Sequence, residues 1–276
     1  MRIPMTMVGE YAKRMLSAES ALEVLGCTSR AVFLLADEEV LWITGPAAEP
    51  HRRAMHAQCL PHWPPGSTVV VEDNELCAAG ECLTLERAML WATPPLPQPA
   101  GDFQALARTL LDNFSSSFPA VRATLGPGWW ERCRKTLSEA NIPEFLALAK
   151  ERLGRGPGLT PLADDFLGGA LFALRTLLSD SAWPDEIVKD FLAWAKGHTH
   201  RLGLCLLADL SRGCGPGSLH AFVDALFAGD EGAARDCARN LLDLGQSTGV
   251  ALLLGALLVW SEFREGASSG RPERAH

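Results

Sequence analysis

The sequence predicts an α+β protein, with a small β-rich N-terminal domain followed by a mainly α-helical C-terminal domain. In about the first ninety residues, short apolar and β-branched runs alternate with turn residues, as in strands joined by turns. Residues 93–99 then hold four prolines, which neither a helix interior nor a central strand accommodates. Beyond this linker the apolar residues recur with the spacing of helices that pack on one face.

The proline-rich linker sets the predicted domain boundaries. We expect a β-rich domain over residues 1–95 and a helical domain over residues 96–265. Residues 266–276 are mostly polar, so we expect a disordered tail there.

In the N-terminal domain the sequence predicts one leading helix and several strands. The helix covers residues 10–25, and a glycine follows it. Residues 30–36 and 40–44 are apolar runs around an Asp-Glu-Glu turn, which is typical of a β-hairpin. Further strands are predicted at residues 67–71 and, as one or two strands, within residues 82–92.

The histidine and cysteine residues give little support to a metal centre or a disulfide framework. Residues 51–62 contain three histidines and one cysteine, but their spacing matches no standard zinc motif and the neighbouring arginines would repel a cation. We therefore expect a polar helix or loop in this stretch. The eight cysteines form no Cys-x-x-Cys pair and are predicted to be reduced thiols, several of them in the core.

The C-terminal domain is predicted to be built from a succession of helices. The predicted helices cover residues 102–114, 129–140, 142–154, 162–178, 181–196, 201–210, 219–228, 233–244 and 245–263.

The segment 154–169 is the feature around which the helical domain is organised. It begins with three glycines at alternate positions, which permit positive φ and a close approach of the backbone to another group. Thr160 is predicted to be the N-cap and Pro161 the first residue of the next helix. Residues 162–178 are almost entirely apolar, as in a buried helix, and free amides at its start can hold an anion.

Asp164 and Asp165 lie in the first two turns of this helix, and two interpretations stay open. The helix dipole stabilises such carboxylates by roughly 0.3–1 kcal/mol each, and the glycine loop would then be only a tight connection. Alternatively, adjacent helical residues point about 100° apart, so at least one of these carboxylates faces inward. A buried carboxylate needs a metal ion, an arginine or the donors of a ligand as its partner.

A second segment, residues 245–255, has a similar pattern of a glycine, a hydroxyl and an apolar helix with an internal glycine. Aligning the two segments sets Thr160 opposite Ser247 and Gly168 opposite Gly255. We expect the two helix starts to converge on one pocket, with Thr160 and Ser247 within a ligand's width of each other. The internal glycines would let the two helices approach closely. The alternative is a chance similarity between two helices rich in leucine and glycine.

The first segment carries a resemblance to a known family. Its pattern, Gly-Arg-Gly-Pro-Gly-Leu-Thr-Pro-x-x-Asp-Asp-x-Leu-x-Gly, closely resembles the signature of the AllH family, formerly known as a domain of unknown function. That family is associated with the multi-subunit oxamate carbamoyltransferase of anaerobic allantoin breakdown, a part of purine catabolism. Its second motif, Gly-His-Ser/Thr-Ser-Gly-x-Asp-x-Leu-x-Gly, corresponds to residues 245–255, where Gln246 replaces the histidine and Ala251 the aspartate.

The resemblance implies transfer of a carbamoyl group between oxalurate and phosphate, giving oxamate and carbamoyl phosphate. Asp164 and Asp165 would be the catalytic residues, either accepting hydrogen bonds from a carbamoyl –NH₂ or holding a divalent cation such as Mg²⁺. No cofactor is established by the sequence, and Asp164 and Asp165 are the residues that would hold a metal ion if one is bound. The residues implied to bind the substrate are Arg155, Gly156, Gly158, Thr160, Thr199, Ser247, Thr248 and Gly249.

The expected partners are a small anion (oxalurate, phosphate or carbamoyl phosphate) and other subunits of the transferase. The net charge of −8 and the absence of a basic stripe exclude a nucleic-acid-binding protein. The longest apolar run, residues 250–260, is too short to span a bilayer, and residues 1–13 lack the apolar core of a signal peptide. We therefore expect a cytoplasmic protein with no membrane partner.

Whether the chain is an enzyme stays open at this stage, because Gln246 and Ala251 depart from the family motif. The alternative is a non-enzymatic subunit of another enzyme, which binds a small anion or metabolite or acts as a scaffold.

Overall fold

The computed structural model describes residues 1–264, so the tail predicted at residues 266–276 lies outside the described residues. The chain divides into two compact units. One consists of Met1–Pro95 with Cys214–Gly217, and the other of Leu96–Gly213 with the described residues from Ser218 onward. The domain limits expected from the sequence stay a prediction. Within the described part of the chain, no helix has the length and apolar character needed to cross a membrane.

The N-terminal unit is a β-barrel, which is a more specific architecture than the β-rich domain that the sequence predicts. Its strands are β1 (Arg2–Gly9), β2 (Ala21–Cys27), β3 (Ala31–Ala36), β4 (Glu39–Thr44), β5 (Ala54–Ala57), β6 (Thr68–Glu72), β7 (Glu75–Ala78), β8 (Glu81–Thr84) and β9 (Met89–Trp91). Their order is β5-β4-β3-β2-β6-β7-β8-β1-β9, and a pairing of β1 with β5 closes the barrel. Inward-facing apolar side chains such as Ile3, Val24 and Leu34 fill its interior.

Three strand predictions in this unit are confirmed. β3 and β4 form the expected antiparallel hairpin, in which Ala36 pairs with Glu39 and Asp37 has a φ of 56° in the turn. β6 lies where the β-branched run of residues 67–71 predicts a strand, and residues 82–92 contain two strands.

The helix predicted over residues 10–25 is wrong in its second half. The helix α1 (Glu10–Ala18) is followed by β2, which pairs with both β3 and β6. Leu22 and Val24 are buried while their neighbours Ala21, Glu23 and Leu25 are exposed, which is the two-residue period of a strand. Leu22 and Leu25 have helical spacing in sequence, but only Leu22 points into the core.

The histidine-rich stretch contains a strand rather than the expected helix or loop. β5 pairs parallel with β4 and antiparallel with β1, and all four of its residues are buried. A strand buried throughout lacks the alternation of apolar and polar residues that reveals a half-buried strand in a sequence. His51 and His56 are buried in this unit, whereas His62 is exposed and contacts Glu81.

One pair of cysteines differs from the expectation of reduced thiols. Cys77 on β7 and Cys82 on β8 are directly opposed across the hairpin and form a disulfide. Sequence separation alone does not reveal such a pair, because the register of the two strands decides which side chains meet. The other six cysteines form no disulfide, and Cys133 and Cys205 are buried, as expected for core thiols.

The second unit is helical throughout the part that the structure describes. Its helices are α2 (Phe103–Asn113), α3 (Pro119–Leu125), α4 (Pro127–Ser138), α5 (Ile142–Lys150), α6 (Leu162–Leu177), α7 (Asp185–Ala195), α8 (Arg201–Ser211), α9 (Gly217–Phe227), α10 (Glu231–Leu242) and α11 (Thr248–Glu262). All but α3 correspond to predicted helices, with ends that differ by a few residues. The proline-rich linker, residues 93–99, contains no helix or strand.

The helices α6 and α11 form the centre of this unit and pack more extensively on each other than any other two elements. A Cβ added to Gly169 would overlap the carbonyl oxygen of Leu252, and one added to Gly255 would overlap that of Phe166. Of the two glycines expected at this contact, Gly255 lies there but Gly168 does not, because Gly168 faces Leu210 on α8. Gly169 occupies the contact in place of Gly168.

The two central helices run in the same direction. Trp260 near the end of α11 donates a hydrogen bond from Nε1 to Thr176 Oγ1 near the end of α6, at 2.9 Å. At the other end, the hydroxyls of Thr160 and Thr248 lie 3.3 Å apart. The packing therefore brings both helix N-termini to the same end of the unit.

We predict that Gly169→Ala destabilises the protein. The added Cβ meets backbone, which cannot rotate away, so we expect a loss of roughly 1–3 kcal/mol in the free energy of unfolding, measured by urea denaturation. The control is Gly128→Ala in α4, where no atom lies within 4 Å of the added Cβ. Alanine should stabilise that exposed helix by up to about 1 kcal/mol. An equal gain from both substitutions would contradict the close contact of α6 and α11.

Candidate functional site

The glycine loop leads into α6 through three residues with positive φ. Gly154, Gly156 and Gly158 have φ values of 75°, 108° and 110°, which non-glycine residues rarely adopt. A Cβ on Gly154 would overlap the carbonyl oxygen of His198, and one on Gly156 would lie 2.8 Å from Leu162 Cβ. Glycine is therefore required here both by conformation and by the closeness of the neighbouring chain.

The predicted N-cap is wrong by one residue. Pro161 is the N-cap of α6, with extended backbone angles, and its carbonyl accepts hydrogen bonds from the amides of Asp164 and Asp165. Thr160 therefore lies outside the helix, which frees its hydroxyl for a side-chain contact.

The amides at the start of α6 are less open to an anion than expected. The amide of Ala163 donates to the carbonyl of Arg155 at 3.0 Å, and the next two amides donate to Pro161. The glycine loop thus folds back over the helix start and uses these donors itself.

Asp164 is 2% exposed and is held by two donors from the loops beside it. The amide of Gly154 donates to its Oδ1 at 2.6 Å, and the hydroxyl of Thr199, which precedes α8, donates to its Oδ2. Burial raises the pKa of Asp164, and these two hydrogen bonds oppose that effect. The site therefore joins the starts of α6 and α8.

Asp165 is 4% exposed and faces the second motif. Thr160 Oγ1 donates to its Oδ2 at 3.0 Å. Burial raises the pKa of Asp165 to about 7, while hydrogen bonds from Thr160 and Thr248 lower it. The carboxyl of Asp165 is therefore harder to ionise than that of an ordinary aspartate.

The starts of α6 and α11 do meet, through Thr160 and Thr248. Their hydroxyl oxygens are 3.3 Å apart. The sequence alignment pairs Thr160 with Ser247, but Ser247 is the N-cap of α11 and makes no side-chain capping hydrogen bond. Thr248, the next residue, is the one that meets Thr160, because the two helices are offset by one residue from the alignment.

The remaining predicted residues surround this centre without touching the carboxylates. Arg155, Gly156 and Gly158 are exposed in the loop, and the Arg155 side chain forms no ion pair with a residue in the described range 1–264. Gly249 is buried, and a Cβ there would overlap the carbonyl oxygen of Leu241. Gly249 is thus explained by helix packing.

Two residues of the site were not among the residues predicted to bind the substrate. A Cβ on Gly203 would lie 2.9 Å from Thr199 Oγ1 and 3.0 Å from Asp164 Oδ2, so glycine leaves room for their hydrogen bond. Gly154, the first glycine of the loop, supplies an amide donor to Asp164. A glycine in the first turn of an apolar helix is the signal that points to Gly203.

The arrangement presents two adjacent buried carboxyl groups whose partners are hydroxyls and a backbone amide. Such an environment suits a ligand that brings N–H donors, or a cation, because either compensates for the lost hydration of the carboxylates. Among the described residues, the only cluster with three or more metal-ligating side chains is elsewhere, at Glu75, Cys77 and Cys82. Asp164 and Asp165 would need further ligands from water or substrate to hold Mg²⁺.

These features define a helical unit with a pair of buried carboxylates where two glycine-preceded helix starts meet. The family model described as oxamate carbamoyltransferase subunit AllH matches residues 152–260, a stretch that contains all residues of this centre. The match covers less than half of the chain and confirms its resemblance to the AllH family. No curated protein and no solved structure matches the chain.

We predict that the stability of the protein falls as the pH rises from about 4 to about 7. Because burial raises the pKa of Asp165 from 3.8 to about 7, only the unfolded chain ionises readily in this range. The free energy of unfolding should fall by up to about 4 kcal/mol and then level off, as one pKa unit corresponds to about 1.4 kcal/mol.

Urea denaturation across this pH range measures the effect, and Asp165→Asn should remove most of the fall. Asp112→Asn, on the exposed face of α2, is the control and should leave the profile unchanged. If Asp165→Asn and the wild-type protein gave the same dependence of unfolding free energy on pH, the result would contradict the burial of an ionisable group at this position.

We also predict that Thr160 and Thr248 are energetically coupled. Replacing either with valine removes a hydroxyl that contacts the other and also hydrogen bonds to Asp165. A double-mutant cycle on the free energy of unfolding should give a coupling of roughly 0.5–1.5 kcal/mol. Thr109→Val and Thr124→Val, at exposed positions on α2 and α3, should be additive. Additivity at the first pair would mean that the two helix starts do not interact.

Proposed function

We propose that the chain is an AllH-like subunit of a multi-subunit carbamoyltransferase and that its ligand site is the centre formed by Asp164, Asp165, Thr160, Thr199 and Thr248. The observation that carries the proposal is the buried carboxyl pair, held by neutral donors and lying within the stretch that the family model matches. A function confined to helix stability would favour carboxylates at the surface, where ionisation is not opposed by burial.

The carbamoyl group is the part of the substrate that fits this pair. Oxalurate and carbamoyl phosphate both end in –C(=O)–NH₂, whose two N–H donors match two adjacent carboxyl acceptors. Ionised Asp164 would accept one hydrogen bond and Asp165 the other. The threonine hydroxyls would orient both carboxyl groups, as Thr199 and Thr160 do in the structure.

The pKa of Asp165 suits a proton transfer in the same reaction. In the direction from oxalurate, the bond between the carbamoyl carbon and the oxamate nitrogen breaks, and a phosphate oxygen forms the new bond to carbon. The leaving nitrogen then needs a proton, which a carboxyl group with a pKa of about 7 can supply at neutral pH. Asp165 would act as this general acid, and as the general base in the reverse direction.

The anionic parts of the substrate would lie away from the carboxylates, toward the exposed side of the glycine loop. Arg155 is the nearest cation of the motif and has the planar guanidinium that binds phosphate or carboxylate in two places. The N-termini of α6 and α11 lie at the same end of the unit, so their dipoles add favourably there. Where phosphate approaches a carboxylate, an N–H group or Mg²⁺ would have to separate them.

The wider assignment rests on the family alone. That resemblance supports the proposal that the subunit works in allantoin and purine breakdown in the cytoplasm, together with the other transferase subunits.

A second candidate function is favoured by one observation. Ala251 stands where the family motif has an aspartate and is 0% exposed in α11, so the second motif supplies no carboxylate at that position. This favours the non-enzymatic alternative, in which the same centre binds a small anion or metabolite and the chain regulates or scaffolds another enzyme.

We predict that the chain, co-expressed with its genomic neighbours, cleaves oxalurate in a phosphate-dependent reaction. Asp165→Asn should lower the rate by at least about 10²-fold, because asparagine cannot supply the proton. Asp164→Asn should be similarly impaired. Carbamoyl phosphate formed from oxalurate and phosphate is the quantity to measure, and Asp112→Asn is the matched control, with unchanged activity.

Other outcomes separate the alternatives. Activity unaffected by either substitution would leave the motif with a structural role only. No turnover by the wild-type complex, with calorimetric binding of oxalurate or phosphate that Asp164→Asn abolishes, would support the binding subunit instead.

A further inference from the structure

The β7–β8 hairpin of the barrel brings together three metal-ligating side chains. Cys77 and Cys82 are opposed across the two strands, and Glu75 lies two residues before Cys77 on the same face of β7. One carboxylate oxygen and the two sulfur atoms all lie within 4.8 Å of one another. The Cys77 sulfur is 3.9 Å from Glu75 Oε2. All three residues are partly exposed, so solvent and small ions reach them.

The rest of the chain does not rely on disulfides. Six cysteines form no disulfide, and two of them, Cys27 and Cys59, are exposed. Exposed thiols stay reduced where thiol reductants are present, and a disulfide that is itself accessible is reducible there. The Cys77–Cys82 bond is therefore one of two accessible states of this hairpin.

We propose that the reduced hairpin is a zinc site, in which the thiolates of Cys77 and Cys82 and the carboxylate of Glu75 bind one Zn²⁺. Thiolate and carboxylate are both ligands that zinc takes, whereas the hard cations Mg²⁺ and Ca²⁺ avoid sulfur. Three protein ligands leave the fourth tetrahedral position to water. The site is independent of the proposed carbamoyl transfer, because it uses none of the residues at the start of α6.

The disulfide state and the proposed zinc-bound state of the hairpin are related by a two-electron reduction. A dithiol reductant transfers two electrons and two protons to the disulfide, giving two thiols and an oxidised dithiol. Zn²⁺ then displaces the two thiol protons and forms two Zn–S bonds. Oxidation of the thiols by a disulfide of matching potential releases the metal again.

Two charged residues, Arg2 and Glu72, lie beside the proposed zinc ligand Glu75. Arg2 Nε lies 3.2 Å from Glu75 Oε1, so the guanidinium holds this carboxylate in the disulfide state. The Arg2 side chain is 76% exposed, and ion pairs that exposed are weak enough for a metal ion to displace. Glu72 pairs with Glu75 across β6 and β7 and adds a second negative charge beside the site.

The test uses the full-length chain and zinc alone as the probe. Protein reduced with a phosphine is given Zn²⁺, desalted and analysed by mass spectrometry for metal, beside protein oxidised beforehand. We expect about one tightly held zinc per reduced chain and none per oxidised chain. Cobalt in place of zinc should show thiolate-to-metal charge-transfer absorption, which identifies sulfur ligands.

Two double variants identify the site. Cys77→Ser with Cys82→Ser should abolish zinc retention, whereas Cys27→Ser with Cys59→Ser should leave it unchanged. Glu75→Gln should weaken zinc binding at least about tenfold. Equal zinc retention by reduced and oxidised wild-type protein would overturn the proposal, and this comparison needs no variant to fold. Retention by the Cys77/Cys82 variant would overturn it as well.

Discussion

The candidate site depends on the backbone contact between α6 and α11. Gly169 and Gly255 let each helix lie against a carbonyl oxygen of the other, which no residue with a Cβ permits without movement. With the helices parallel, this contact brings their N-termini together, and Thr160 meets Thr248. The carboxyl of Asp165 is then enclosed between two hydroxyls from motifs almost ninety residues apart in sequence.

Burial also raises the pKa of both carboxyl groups, Asp164 and Asp165. An aspartate at a helix N-terminus is ordinarily stabilised in its ionised form by the helix dipole. Here burial outweighs that effect and the hydroxyl donors, so the pKa of Asp165 rises to about 7. Burial therefore makes this carboxyl harder to ionise than an ordinary aspartate, and shifted pKa values of this kind are common at functional sites. Thr199 and Gly154 hold Asp164 in place beside it.

The two units offer chemistry of different kinds. The helical unit carries the stretch that the AllH model matches and the buried carboxyl pair. The barrel carries a hairpin whose disulfide, on reduction, gives two thiolate ligands beside the carboxylate of Glu75. The proposed role of the carboxyl pair depends on burial, because a proton donor needs a shifted pKa. The proposed role of the hairpin depends on exposure, because a redox-responsive site needs access to its reductant.

By itself the sequence determined the α+β class, the helices from α4 onward, the β3–β4 hairpin and the residues of the glycine–aspartate motif. Local spacing and turn chemistry carry that information, and the AllH resemblance rests on a contiguous motif. The sequence pattern wrongly predicted a helix at residues 19–25 and did not reveal β5. A short strand is specified by the partners on either side of it. Only the tertiary structure decided the closed barrel, the Cys77–Cys82 pairing and the meeting of Thr160 with Thr248 rather than Ser247. Each depends on the register between paired strands or packed helices, which the packing of backbones sets and local spacing does not encode.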